Sequence, residues 1–452
     1  MGSVYISAFG AKNDGVFDNT IIINKALEEC ASSNQTLIFG EGVYKTASWK
    51  IPSNSRIILE KDAEISFIPD FEAYPPVFSR WEGVNCYCMQ PLLFIENAEN
   101  VVIEGQGTFN GNGKKWWEYI IERRDTQKEP QLPIEKHFAQ LNPGYENQPG
   151  GGGGRQCQFM RPAMLQILKS HDVTIKGVKI INSPFWTVHP VYSSHITFES
   201  LYVCNPGDSP NTDGIDIDSC HDVKVLHCTV DVGDDGICLK SGSGEDGVKT
   251  NIPTYNVYVE DCEVRNAHGG VVIGSETAAG IWNFEAKNCR FYGTDRGLRI
   301  KTRRGRGGDI HHIHFSDVYM EDTICPFVLN MYYGCGSDDP VLYSLEKQPI
   351  TDTTPRIADV FVENCKAVKS RGSAAFMVGL PERPLENIVI KNCQFDVDKA
   401  AEGDWQVEMF KGIPHIKDKS IRLRNIQGSF ENVTSNANPE LLKESGVEVD
   451  FL

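Results

Sequence analysis

Four short segments hold the side chains that could do chemistry. Ser209–Asp218 reads SPNTDGIDID, and Val232–Lys240 reads VGDDGICLK. Ala267-His268-Gly269-Gly270 follows, and then Gly297–Gly308, GLRIKTRRGRGG. Asp213, Asp234 and Asp235 offer three carboxylates, and His268 a titratable imidazole. Arg299, Lys301, Arg303, Arg304 and Arg306 place five cations in eight residues. Cleaving a glycosidic bond takes one carboxylic acid to protonate the leaving oxygen and a second carboxylate to activate water or attack directly. Crowded carboxylates raise at least one pKa, which keeps an acid protonated near neutrality. Guanidinium groups grip carboxylates bidentately. The set therefore suits hydrolysis of an acidic sugar. Each part has a plainer reading. Asp and Gly crowd turns, Asp-rich turns can hold calcium, a lone His is ordinary in a turn or core, and an Arg run can be a solvated edge. Together, however, the four segments fall on four consecutive repeats in nearly one register, which chance placement does not explain.

That repeat is legible from about residue 170. An apolar anchor following His, Asn or Asp recurs at Val173, Ile196, Val223, Val257, Phe284, Ile313, Val360 and Ile388. Apolar or small residues recur two, five and seven positions after each anchor. The anchor and its +2 neighbour have strand periodicity. The shift to +5 implies a bend and a second short strand. Two or three short strands per roughly 25 residues predict the coils of a parallel β-helix, in which equivalent positions stack. An earlier coil is expected at Val101 and Ile103, and another at 57–68. Asp234 lies 11 residues past its anchor, and so does His268, so stacking in register makes them neighbours on one face. Ser241–Pro253 and Gly334–Pro355 read as loop insertions. Residues 20–31 read as an amphipathic helix capping the N-terminal end, with Asp18, Asn19 or Thr20 as N-cap. The last 50 residues lose the clean repeat, which predicts final strands and a tail. Residues 114–160 are a large insertion with Trp116, Trp117 and the glycines Gly150–Gly154, either flexible packaging or a wall near the groove.

Composition narrows the class. The chain has 452 residues with 44 Lys plus Arg against 61 Asp plus Glu, a formal net charge of −17. That excludes a nucleic-acid-binding surface. No run of roughly 18 apolar residues predicts a membrane-spanning helix. Five of the 14 cysteines, Cys228, Cys262, Cys289, Cys365 and Cys393, share one register. They predict a buried stack of reduced thiols rather than bridges or zinc ligands. His311, His312 and His314 read as an exposed strand face without a carboxylate partner, not a metal site. GQGTFNG is not a dinucleotide fingerprint, because the context is solenoidal and no helix is expected after it. The start lacks a signal-peptide pattern, so a cytoplasmic location is expected, or a secreted one if a leader was removed.

SPNTDGID, GDDGICLKSG, AHGG and RIK, in that order, resemble the signatures of the polygalacturonases, glycoside hydrolase family 28. FGAKNDG, GQGTFNGNGKKWW and NSPFWTVHP extend the resemblance over about residues 8–400. It implies an all-β, right-handed, single-stranded parallel β-helix, here as one domain over 1–452. It implies inverting hydrolysis of α-1,4 bonds between galacturonates of polygalacturonate or oligogalacturonides. Asp234 corresponds to the general acid, Asp213 and Asp235 to the residues that hold and activate water, and His268 to the assisting histidine. Arg299 and Lys301 correspond to binders of the substrate carboxylate, joined by Tyr333, with Tyr332 close behind. No metal or organic cofactor is implied. Ala267 replaces the usual first glycine of Gly-His-Gly. TRRGRGG and the 114–160 insertion resemble bacterial exo-acting members. The competing readings are a hydrolase of rhamnogalacturonan or xylogalacturonan, a calcium-dependent pectate lyase, and a non-catalytic pectin-binding β-helix.

Overall fold

The residue before every anchor has a left-handed backbone. Asp172, His195, Asp222, Asn256, Asn283, His312, Asp359 and Asn387 all have φ between 50° and 56°. So do the residues four after the anchors, with Ser200, His227, Asp261, Asn288, Asp317, Asn364 and Asn392 at 52–55° and Gly177 at 74°. Asn and Asp tolerate this region best among residues with a Cβ. The choice of His, Asn or Asp is thus a backbone requirement, and the left-handed residue at +4 is the bend that moves the inward position from +2 to +5. Side chains at these corners also bond from coil to coil: Asn283 Nδ2 donates to Asn256 Oδ1 at 2.9 Å, and Asn387 Nδ2 to Asp359 Oδ1 at 2.7 Å.

The computed structural model describes residues 2–124, 129–148 and 152–452, so Met1, Gly150 and Gly151 lie outside the described residues. The chain forms a right-handed parallel β-helix. It divides into two compact units, Met1–Trp81 with Asn85–Asp234, and Glu82–Val84 with Asp235–Leu452. In the first, each full coil contributes three strands. His171–Lys176, Ser194–Glu199 and His221–Leu226 stack in parallel, with Val101, Val173, Ile196 and Val223 in one register. Lys179–Ile181, Tyr202–Cys204 and Thr229–Asp231 form a second ladder. Leu93–Glu96, Leu165–Leu168, Val188–Val191 and Ile215–Asp218 form a third. The expected early coil is present, with Ile57 opposite Ile103.

The second unit repeats the plan. Val257, Phe284, Ile313, Val360 and Ile388 lie in one register. Its third ladder runs Asp235–Lys240, Gly269–Gly274, Arg296–Lys301, Cys325–Asn330, Ala375–Val378, Ile421–Arg424 and Leu441–Lys443. All eight anchors are at most 2 % exposed. The five register cysteines are free and buried, and each thiol donates to the carbonyl two residues before it at 3.2–3.4 Å.

Among the described residues, four α-helices accompany the coils. Helix α1, Thr20–Ser32, buries Ile23, Ala26, Leu27 and Cys30 against the strands Gln35–Phe39 and Trp49–Lys50. Its N-cap is Asn19, but the capping oxygen is Asp18 Oδ1, which accepts from Thr20 N at 2.9 Å. The 114–160 insertion is more structured than a loop: it holds α2, Lys114–Arg124, and α3, Pro133–Leu141. A helix therefore does follow GQGTFNG, contrary to the sequence expectation. Trp116 and Trp117 drive it, since Trp116 packs on Phe71 at 4.7 Å and Trp117 Nε1 donates to Ser183 O. The flanking strands Glu99–Gly105 and Thr108–Asn110 still lie in the solenoid ladders. Helix α4, Gly244–Thr250, occupies the Ser241–Pro253 insertion.

Candidate active site

The first unit carries Asp213 and Asp234. Asp213 precedes the strand Ile215–Asp218 and is 4 % exposed. Its loop is fixed by its own motif. Ser209 Oγ and Thr212 Oγ1 are 2.6 Å apart, Asn211 takes the left-handed conformation, and Asn205 Nδ2 donates to Thr212 O. Thr187 N donates to Asp213 O at 2.9 Å. A residue missed by sequence reasoning completes the clamp. Arg161, fully buried, donates to Pro210 O, Pro184 O, Gly153 O and Asn211 Oδ1. Arg161 thus ties Gly153 of the insertion to the Asp213 loop. Asp234 sits half-buried in the bend between Thr229–Asp231 and the next strand. Gly233 beside it is required by close approach, because a Cβ there would lie 2.6 Å from Pro206 O. Asp213 and Asp234 each have a carboxylate oxygen within 4.8 Å of the other. That is nearer the roughly 5 Å spacing of retaining enzymes than the roughly 6.5–9.5 Å expected of an inverting pair.

The second unit carries Asp235, His268, Arg299, Lys301 and Tyr333. Asp235 opens the strand Asp235–Lys240, in register with Gly269. Gly236 next to it cannot carry a Cβ, which would meet Val264 Cγ1 at 2.6 Å. His268, exposed, immediately precedes the strand Gly269–Gly274. Arg299 and Lys301 lie opposite Val272 and Gly274.

Arg299 and Lys301 converge on Asp235. Lys301 Nζ lies 2.5 Å from Asp235 Oδ2, and Arg299 Nη1 lies 3.1 Å from Oδ1. Burial works to raise the Asp235 pKa, but Lys301, Arg299 and Lys240 outweigh it and hold the carboxyl well below the usual carboxylate range. The Tyr333 ring lies 5.7 Å from the Arg299 guanidinium and 5.3 Å from Lys301 Nζ. Burial pushes the Tyr333 hydroxyl up to about 12, so it stays a neutral donor. Tyr332, the neighbouring candidate, turns toward Arg304 instead.

Three groups around this cluster were not singled out from sequence. Glu408 takes Arg299 bidentately, at 2.7 and 2.6 Å. It comes from the stretch without repeat signal, where no periodicity points to it. Lys240, at the end of the GDDGICLK segment, pairs with Glu276 at 3.3 Å. Glu276 also faces Arg306 at 3.5 Å. Burial works against its charge, and Lys240 and Arg306 bring its pKa down to about 2. His312 and His314 do have carboxylate partners. His314 Nε2 lies 2.7 Å from Glu363 Oε1, and His312 Nδ1 lies 4.0 Å from Asp359 Oδ2. Both carboxylates come from the next coil, which is why sequence spacing hid them.

The model of glycosyl hydrolases family 28 matches residues 147–403, more than half of the chain. The chain belongs to this family. It is a glycoside hydrolase. It is 27% identical to a probable polygalacturonase of Vitis vinifera, over 90% of this chain and 77% of that protein. It is 25% identical to an endo-polygalacturonase of Pectobacterium carotovorum subsp. carotovorum, over 86% of each. Among solved structures, it resembles a hyperthermoactive exopolygalacturonase from Thermotoga maritima with a TM-score of 0.78 and 29% identity, covering 96% of this chain and 91% of that one.

Proposed function

We propose that this family 28 hydrolase cleaves α-1,4 bonds between galacturonate residues of pectic polygalacturonate or its oligomers, with inversion and from a chain end. The observation that carries the reading is the buried Asp235–Lys301–Arg299 cluster under Tyr333, cationic machinery suited to a uronate carboxylate beside an ionised acid. Asp234 donates the proton to the leaving oxygen. Asp213 and Asp235 hold and polarise the water. His268 assists Asp234, and Arg299, Lys301 and Tyr333 orient the sugar carboxylate. Inversion rests on family membership; the Asp213–Asp234 spacing by itself leans the other way. End cleavage is supported by the helical insertion, which Arg161 ties to the Asp213 loop by donating to both Gly153 O and Asn211 Oδ1, and by the likeness to the Thermotoga maritima exopolygalacturonase. The likeness to an endo-polygalacturonase is the counterweight.

A time course on a defined oligogalacturonate tests the reading. Monomer alone in the first seconds supports end cleavage, and a spread of oligomers overturns it. NMR of the first-formed anomer should show the opposite configuration to the substrate; the same configuration would make the Asp213–Asp234 spacing decisive. A product absorbing in the ultraviolet would mean a lyase.

A further inference from the structure

Arg299 and Lys301 alternate along the strand Arg296–Lys301, and Arg303 follows two residues on, in an isolated bridge just past the strand end. The first two are matched by carboxylates, Arg299 by Glu408 and Asp235, and Lys301 by Asp235. The remaining cations of the run are matched too. Arg304 is bound by Glu382, with Nε–Oε1 at 2.5 Å and Nη2–Oε2 at 2.9 Å, and Arg306 faces Glu276. Of these five cations, Arg303 alone has no carboxylate in ion-pair reach among the described residues. It is 6 % exposed. Its Nη1 donates to Arg304 O at 2.9 Å, and its buried Nε has no hydrogen-bond partner.

A buried guanidinium without a counter-charge is costly, because a single hydrogen bond to a carbonyl replaces little of the hydration it gives up. Placement makes this one useful. Arg303 bridges to Tyr332, and Thr302 O accepts from Tyr333 N at 3.0 Å. Arg303 therefore runs alongside the tyrosine that covers Arg299 and Lys301. Burial and the nearby Arg306 both disfavour its charge, while no carboxylate offsets them.

We propose that Arg303 binds a second carboxylate of the substrate, that of a uronate next to the one held by Arg299, Lys301 and Tyr333. The inference rests on the galacturonate reading above and sharpens it: the favoured substrate carries carboxylates on two adjacent sugars. Arg303 acts through affinity, not through the reacting atoms.

The test uses the full chain with Arg303→Met and Arg303→Lys. Removing an uncompensated buried charge should leave the melting temperature of Arg303→Met at or above the wild-type value without ligand. On a galacturonate trimer, Arg303→Met should raise KM about tenfold or more and change kcat less than about twofold. Arg303→Lys should recover part of that loss. In calorimetric titrations, digalacturonate should bind wild type more tightly than Arg303→Met, while neutral digalactose should not distinguish them. An unchanged KM, a loss confined to kcat, or a marked fall in melting temperature would overturn the proposal. So would equal binding of inorganic phosphate and digalacturonate by wild type, which would mean a generic anion position. If wild type releases no sugar from polygalacturonate, the hydrolytic reading fails by itself, and the titrations still decide the role of Arg303.

Discussion

Arg299 is held between two buried acids: Glu408 grips its guanidinium through Nε and Nη2, and Asp235 meets Nη1 at 3.1 Å. A residue read as a substrate binder is thus first a structural pivot. It fixes Asp235, and Glu408 fixes it. Burial works to raise the Glu408 pKa, but Arg299 and Arg296 keep it ionised.

Glu408→Gln should therefore act at a distance from the reacting bond. Losing one partner of a buried pair leaves an uncompensated charge, and the expected cost is about 3–5 kcal/mol. Denaturant unfolding measures it. Turnover should fall as well, because Arg299 and Asp235 lose their orientation. A variant with wild-type stability and turnover would show that the grip is dispensable.

Asp234→Asn separates chemistry from folding. Asp234 is only half-buried. Turnover on oligogalacturonate should drop by roughly 10²–10⁴ for loss of general acid catalysis, with the melting temperature unchanged. His268→Ala should give a smaller loss and an altered pH–rate profile, again without destabilisation, since His268 is exposed. Wild-type turnover in Asp234→Asn would remove it from the acid role.

Glu276 should make the fold less stable in acid. Glu276 falls from 4.5 to about 2 on folding. A depressed carboxyl contributes stability that is complete above its unfolded pKa and lost as pH falls toward the folded one. The contribution, roughly 3 kcal/mol at most by linkage, should disappear between about pH 4.5 and 2. Stability of Glu276→Gln measured across that range should show a flatter acid slope than wild type. Parallel slopes would show that Glu276 is not the group responsible.

Arg161→Met should loosen the Asp213 loop. Four oxygens lose a charged donor, including Pro210 O and Asn211 Oδ1. A loss of roughly 3 kcal/mol or more is expected from hydrogen bonds to a charged group. Hydrogen exchange at Thr187 N, which donates to Asp213 O, should accelerate more than exchange in the second unit. Uniform acceleration would point to global destabilisation instead.

Much of the molecule was legible in one dimension because a solenoid writes its third dimension as a period. The anchors Val173 to Ile388 marked the ladders, and the His, Asn or Asp before each one marked a left-handed corner. Motif glycines were legible as glycines, but the contacts that demand them, Pro206 O for Gly233 and Val264 for Gly236, were not. Helix α2 was hidden in the sequence because it is held by Trp116 and Trp117 docking on Phe71 and Ser183, whereas α3 carries a local signal, Pro133 at its start and Ile134 and Phe138 on its buried face.

The sequence by itself determined the order of coils, the identity of the candidate acids and cations, and the excess of negative charge against which the five-cation run stands out. Only the tertiary structure decided which cations are already matched. Glu408, Glu382 and Glu276 lie far along the chain from the arginines they bind, and ion pairing depends on distance in space, to which the repeat is blind. That accounting turned five equivalent-looking cations into four matched ones and Arg303.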